Sequence, residues 1–178
     1  MEDRYGLDTL VEATALLRDE IPDLRVRIYR DGPFRPRLLE LIRTHGLEDR
    51  IWVADGYVPY DELIGAIAGA DVGIVAMKRD AFRDLTHCNK MFDSIAMGVP
   101  AAVSRTMSVE AYFDEDSFGW FESANAEDLA RAVRELHADP DRRRRLVEHA
   151  RSVAEPYGWP HQREHYLSVV DRLLAGRP

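Results

Sequence analysis

The chain has 178 residues, of which 46% are hydrophobic and 31% charged, and this composition is typical of one globular domain with a buried core. Its net charge of -8 argues against a general nucleic-acid binder, which needs a basic face. A single cysteine, Cys88, excludes an internal disulfide and a Cys-based metal cluster, and the absence of both a secretory signal and an apolar run of about 20 residues predicts a cytoplasmic domain without a transmembrane segment.

The first half of the chain alternates between helical and strand periods. Proline residues open its second helix, and Gly46 closes that helix. The predicted elements are a helix near 7–17, a strand at 24–30, a helix from Pro33 and Pro36 to Gly46, a strand at 51–54 and a helix at 60–68.

The second half opens on the unbroken apolar run 72–77, which is typical of a strand buried on both faces of a parallel sheet. Helices and short strands then alternate again before the chain ends in helices. The predicted elements are a helix at 89–97, a strand at 100–103, a short helix at 108–113, a strand at 118–122 and helices at 125–137, 140–154 and 159–175.

This alternation with short connections predicts an α/β fold, a Rossmann-like doubly wound parallel sheet with helices on both faces. A doubly wound domain normally begins with a strand, whereas this chain begins with a helix, so we expect its first strand to be missing. We treat 1–178 as one domain with the helix 159–175 as a C-terminal extension. We expect Trp159 and Tyr166 in that helix to be packing residues.

The start of the helix at 89–97 is the strongest candidate for a binding site. In open parallel sheets, ligands bind beyond the carboxyl ends of the strands, and the charged loop 78–88 is such a place. Asn89 is predicted to cap the helix, whose first amides then attract an anion. Lys90 in the first turn is unfavourable for the helix dipole unless an anion compensates it, which indicates phosphate binding.

Asp93 follows Lys90 by three residues and lies on the same face of the predicted helix. An ionised carboxylate accepts hydrogen bonds only, so it suits the paired hydroxyls of a ribose. The alternative is a Lys90–Asp93 ion pair on the surface, which contributes little. Together these residues predict a nucleotide diphosphate sugar as the ligand.

Several segments, in this order, resemble the donor-binding C-terminal half of retaining GT-B glycosyltransferases of the group 1 type. They are Arg4–Leu10, Ile28–Pro33, Leu47–Val53 with Gly56, Ala70–Val75, Asn89–Pro100, and Tyr157–Trp159 with Tyr166. The resemblance implies a hexosyltransferase-type enzyme that takes a nucleotide diphosphate sugar, retains the anomeric configuration and needs no cofactor or obligatory metal. It also implies an acceptor-binding N-terminal domain that is absent from this chain, so the fragment alone is expected to be inactive.

The resemblance also implies roles for individual residues. The catalytic candidates are Lys90 and Asp84. The substrate-binding candidates are Asp93, Asn89, Arg4, Arg30, Gly32, Tyr57, Val58 and Arg79. Several positions depart from the family pattern. Leu85 stands where the first of two glutamates is usual, and Asp93 replaces the second. Asp84, one position away from Leu85, is the nearest carboxylate that could replace the first. Arg30 occupies a position where glycine is common, and Tyr5 rather than lysine precedes Gly6.

Other interpretations stay open at this point. The chain could be a non-catalytic Rossmann-like binding or interaction module, which Leu85, Arg30 and the missing first strand favour. A flavodoxin-like or receiver-like domain is disfavoured because the acidic cluster of such domains is lacking. His87 could be a general base, and His161 with His165 could bind a metal, although no third ligand is evident.

Overall fold

The computed structural model describes residues 2–29 and 31–176, and within them helices alternate with strands as predicted. The strands are β1 (Val26–Ile28), β2 (Ile51–Val53), β3 (Gly73–Val75), β4 (Ala101–Ser104) and β5 (Gly119–Phe121). The helices are α1 (Leu7–Leu17), α2 (Arg35–Thr44), α3 (Tyr60–Ala68), α4 (Asn89–Met97), α5 (Met107–Glu110), α6 (Ala126–Ala138), α7 (Pro140–Ala154) and α8 (Trp159–Leu174). Short 3-10 turns lie at Asp3–Tyr5, Arg83–Leu85 and Glu155–Tyr157.

The strands form two hydrogen-bonded parallel ladders, β1-β2 and β3-β4-β5. In the doubly wound order 3-2-1-4-5-6, β1 and β2 take the positions of strands 2 and 3, and β3, β4 and β5 take those of strands 4, 5 and 6. No described residue before α1 forms a strand, so the position of strand 1 is not filled from this part of the chain. The predicted parallel α/β fold is therefore confirmed, although its ladder comes in two parts.

Two clusters of buried side chains hold the helices on the strands. The first lies where α1 and α6 pack together, and it includes Leu17, Leu38 and Leu136. The second, called here the second core cluster, lies under α4 and includes Met91 and Phe118. Burying one such side chain stabilises the folded state by about 1.5–3 kcal/mol. The second core cluster therefore holds α4 firmly against the sheet.

The N-terminal turn is fixed against the end of β3. Gly6 adopts a left-handed conformation (φ 60°), and a Cβ added there would lie 1.8 Å from the carbonyl oxygen of Ala76. Only glycine fits such an approach. The amide of Lys78 also donates to the carbonyl of Arg4 at 3.0 Å. The turn at Asp3–Tyr5 is thereby held beside the loop that follows β3.

Helix α8 lies on the outside of the molecule and has no buried residue among those the structure describes. Trp159 is 67% exposed and Tyr166 is 62% exposed, so the prediction that they pack into the domain is wrong. The reason is that α8 contacts mainly the 3-10 turn before it rather than the core. Within residues 2–29 and 31–176, no helix combines the length and apolar composition that crossing a membrane requires.

Candidate functional site

The candidate site lies at the carboxyl end of β3, where three segments meet. These are the N-terminal turn at 3–6, the loop from Ala76 to His87, and the first turn of α4. The loop contains the 3-10 turn Arg83–Leu85, which contacts α5. This is the edge of the sheet at which the sequence predicts ligand binding.

Cys88, rather than Asn89, occupies the N-cap position of α4. Its backbone is extended (φ -94°, ψ 117°), and its carbonyl accepts a hydrogen bond from the Met91 amide at 3.3 Å. Asn89 is the first helical residue, so the prediction that its side chain caps the helix is wrong. No described side chain caps the first turn, and its amides stay available to an anion.

Lys90 and Arg83 converge on one aromatic ring. The Lys90 Nζ lies 4.4 Å from the centroid of the Tyr5 ring, and the Arg83 Cζ lies 5.7 Å from the same centroid. Both distances are within the range of a cation–π interaction. Neither cation forms an ion pair with a carboxylate of any described residue. Among the described residues, two positive charges therefore lie at this ring without a carboxylate partner.

Asp93 is exposed on α4, three residues after Lys90. It takes part in no ion pair among the described residues, so the alternative of a Lys90–Asp93 surface pair is not formed. The Asp93 carboxylate is thus able to accept hydrogen bonds from a ligand.

Lys78, in contrast, is neutralised within the chain. Its Nζ lies 2.6 Å from Asp8 Oδ2 and 2.9 Å from Asp3 Oδ1. Burial alone would lower the pKa of the Lys78 ammonium, but the hydrogen bonds to both carboxylates outweigh burial and raise that pKa. Lys78 therefore ties the N-terminal turn and α1 to the end of β3.

Arg79 and Asp84, both candidate site residues, bind each other. Two Arg79 nitrogens donate to the Asp84 carboxylate at 3.0–3.2 Å, and Asp84 Oδ1 also accepts from the Met107 amide at 3.0 Å. The Met107 amide, followed by Arg79, lowers the pKa of Asp84. Asp84 therefore caps α5, and its neighbour Leu85 is 81% exposed. A donor contact by Asp84 or Arg79 stays a prediction.

The other described candidates lie in the N-terminal turn and in the loops after β1 and β2. Arg4 pairs with Glu2, and its carbonyl accepts from the loop after β3. Gly32 (φ 145°) follows β1, while Tyr57, which is 88% exposed, and the half-buried Val58 follow β2. No hydrogen bond, ion pair or ring contact among the described residues joins these three to Lys90. Arg30 lies outside the described residues.

Sequence reasoning missed Tyr5 and Arg83 as parts of the site. Arg83 was visible only as one of several charges in the loop after β3. Tyr5 directly precedes the left-handed Gly6, and a glycine at the start of a predicted helix marks a turn that approaches other backbone. The glycine locates the turn, but nothing in the sequence shows which cations the Tyr5 ring contacts.

His87 is held in an aromatic setting rather than beside a proton acceptor. Its ring contacts the ring of Tyr112 at 4.6 Å, edge to face, and burial lowers the pKa of His87. His87 Nδ1 is buried and has no hydrogen-bond partner among the described residues. The neutral imidazole favoured here is a packing group beside α4.

Comparisons with known proteins agree with this architecture. The family model described as "Glycosyl transferases group 1" matches residues 1–153. The GDP-mannose-dependent alpha-(1-6)-phosphatidylinositol dimannoside mannosyltransferase of Mycobacterium tuberculosis is 30% identical over 168 residues, which cover 94% of this chain and 41% of that protein. The chain thus spans less than half the length of this relative.

Solved structures share the fold at lower identity. Sucrose-phosphate synthase of Thermosynechococcus elongatus superposes with a TM-score of 0.81 at 23% identity, over 98% of this chain and 44% of that one. The Anabaena protein HepE, solved in complex with UDP and glucose, superposes with a TM-score of 0.81 at 13% identity, over 96% of this chain and 46% of that one. The chain therefore belongs to the group 1 glycosyltransferase family, and its fold is that of the C-terminal half of a GT-B glycosyltransferase.

Proposed function

We propose that this chain is the donor-binding half of a glycosyltransferase that moves a sugar from a nucleotide diphosphate sugar to an acceptor with retention of configuration. Family membership supports sugar transfer. The M. tuberculosis relative is named as GDP-mannose-dependent, and HepE was solved with UDP, which supports a nucleotide sugar as the donor. The family resemblance of the segments around α4 supports retention.

The observation that carries the proposal is the pair of cations at the Tyr5 ring. Lys90 and Arg83 face no carboxylate of a described residue, and they lie beside the uncapped start of α4. Negative charge builds on the diphosphate as the glycosidic bond breaks. Fixed positive charge and oriented amides stabilise that charge more in the transition state than in the ground state.

The neighbouring groups complete a donor site of this kind. Asp93, exposed and without an ion pair to Lys90, accepts hydrogen bonds from the ribose hydroxyls. The positive charge that the leaving diphosphate needs comes from Lys90, Arg83 and the α4 amides. We therefore propose a reaction that needs no obligatory metal and no further cofactor.

Calorimetric titration of the chain with UDP and with GDP tests this proposal. We expect binding of at least one nucleotide, weakened about tenfold by Lys90→Met and by Arg83→Met, because a charge-assisted hydrogen bond contributes about 1.5–3 kcal/mol. Arg37→Met is the matched control, since Arg37 is an exposed cation on α2 that pairs with Glu40. Failure of both nucleotides to bind, or equal weakening by the control, would contradict the proposal.

A second candidate function, a donor-binding module that does not transfer sugar, is favoured by one contact. Asp84 is already bound by Arg79 and by the Met107 amide, and Leu85 beside it carries no polar group. Assays on a polypeptide that joins this chain to an acceptor-binding half distinguish the two functions. Release of UDP from UDP-glucose, or of GDP from GDP-mannose, supports transfer, whereas nucleotide binding without release from either sugar supports the module.

A further inference from the structure

We propose that Tyr5 is a positioning residue, whose ring holds the Lys90 ammonium at the place where the diphosphate binds. This inference rests on the proposed function and adds to it a residue that acts through Lys90 rather than by touching the donor. The geometry behind it is the 4.4 Å distance between Lys90 Nζ and the centroid of the Tyr5 ring.

The Tyr5 ring is fixed more firmly than the side chain that it holds. Tyr5 ends the turn at Asp3–Tyr5, and the next residue, Gly6, is packed against the Ala76 carbonyl. The side chain of Tyr5 is partly buried against the second core cluster. Its position is therefore set by β3 and the core, not by the ligand.

Lys90 depends on the Tyr5 ring because no carboxylate of a described residue favours its charge. A cation in the first turn of a helix is disfavoured by the helix dipole. Lys90 has no carboxylate partner among the described residues, and its other polar contact is a weak one to Cys88 Sγ at 3.8 Å. The negative face of an aromatic ring attracts an ammonium without neutralising it. Lys90 thus keeps its full charge for the diphosphate.

Arg83 adds to the same arrangement. Its guanidinium carbon lies 5.7 Å from the Tyr5 centroid and 5.2 Å from the Phe82 centroid. Two like charges near one ring repel each other, so an anion bound between them is favoured by both. The aromatic rings therefore hold the two cations in position without weakening their attraction for an anion. A carboxylate in place of the Tyr5 ring would neutralise them.

The lysine composition allows a direct measurement of the Tyr5 contact. Lys78 and Lys90 are the two lysines of the chain, so selective 13C-lysine labelling yields two side-chain spin systems. The Lys90→Met variant lacks one of the two signals and so assigns both. We expect the Lys90 Cε protons to be shifted upfield by the Tyr5 ring current, and we expect Tyr5→Leu to abolish the shift while Tyr5→Phe keeps it.

A double-mutant cycle tests whether the contact between Tyr5 and Lys90 contributes to nucleotide binding. We expect Tyr5→Leu to weaken UDP or GDP binding about three- to fivefold, and Tyr5→Phe to leave it unchanged, because the ring rather than the hydroxyl attracts the cation. In the Lys90→Met background, Tyr5→Leu should weaken binding by less than about twofold, since its effect acts through Lys90. Thermal unfolding of each variant confirms that the fold is retained.

Each outcome of these measurements supports or overturns the positioning role. Binding that depends on Lys90 but not on Tyr5 overturns it and leaves the proposed function intact. A wild-type Lys90 signal without a ring-current shift also overturns it, even if Tyr5→Leu fails to fold. A wild-type chain that binds neither nucleotide removes the proposed function and the positioning role together, whereas an effect of Tyr5→Leu that vanishes without Lys90 supports both.

Discussion

The two lysines of this chain lie at the same edge of the sheet in opposite electrostatic settings. Lys78 is 24% exposed and lies within 2.9 Å of two carboxylates, those of Asp3 and Asp8. Lys90 is exposed and lies over the ring of Tyr5, without a carboxylate partner among the described residues. The charge of Lys78 joins parts of the fold, whereas we propose that the charge of Lys90 binds a ligand.

The two arginines of the adjoining loop repeat this difference. Arg79 forms a two-pronged pair with Asp84, whereas Arg83 contacts the rings of Tyr5 and Phe82. A cation paired with a carboxylate attracts a further anion weakly, and a cation on an aromatic ring attracts it strongly. The kind of partner, rather than the number of positive charges, therefore distinguishes a binding site from a structural network.

The largest expected effect on stability comes from disrupting the N-terminal turn, which carries both Asp3, a partner of Lys78, and Tyr5, the partner of Lys90. Gly6→Ala places a Cβ against the Ala76 carbonyl and should lower the free energy of unfolding by about 3 kcal/mol or more, measured by urea denaturation. Gly46→Ala is the matched control, because Gly46 has nearly the same φ of 61° but no atom within 4 Å of the added Cβ. We expect the control to cost about 1 kcal/mol. Equal costs would show that the Ala76 contact does not constrain the turn.

The next largest effect is a difference in stability between variants of the two lysines. Lys78→Met should lower the free energy of unfolding by about 1–2 kcal/mol, because it leaves the partly buried Asp8 without its counterion. Lys90→Met should change it by less than about 0.5 kcal/mol, as an exposed side chain without an ion pair. Urea denaturation of both variants at neutral pH provides the measurement, and a reversed order would refute the assignment of Lys78 as the structural lysine.

Acid conditions should expose the structural role of Asp84. The pKa of Asp84 is lowered in the folded state, so its contribution to stability is complete above the ordinary value of 3.8 and is lost as the pH falls below it through the folded-state pKa. The stability difference between the wild type and Asp84→Asn should therefore shrink below pH 3.8. Asp93→Asn is the control on an exposed carboxylate of α4, and a constant difference for Asp84→Asn over this range would contradict the cap.

A smaller difference should appear in the chemical reactivity of the two amines. The raised pKa of Lys78 reduces its deprotonated fraction, and its two carboxylate partners restrict access. We expect limited acetylation at neutral pH to modify Lys90 about tenfold faster than Lys78, as read by peptide mass spectrometry. Saturating UDP or GDP should slow the reaction of Lys90 alone, and equal protection of both lysines would argue against a nucleotide bound at α4.

Local sequence patterns determined the elements of this protein and predicted the sheet edge at which its candidate site lies. The apolar run 72–77 and the glycine and proline after residue 97 predicted a buried strand and a helix end, and β3 and α4 confirm them. These features depend on residues close in the chain, because backbone periodicity and turn chemistry act over a few positions. The lone lysine in the first turn of α4 likewise predicted an anion site from local charge alone.

Only the tertiary structure decided which charges are paired and which remain available. Lys78 meets Asp3 and Asp8 across 75 and 70 residues of sequence, and Lys90 meets Tyr5 only because Gly6 brings the N-terminal turn against β3. Such pairings follow from how helices and strands pack, which local patterns do not encode. The physical reason is that a side chain's electrostatic role is set by neighbours within a few ångströms, and folding chooses those neighbours from anywhere in the chain.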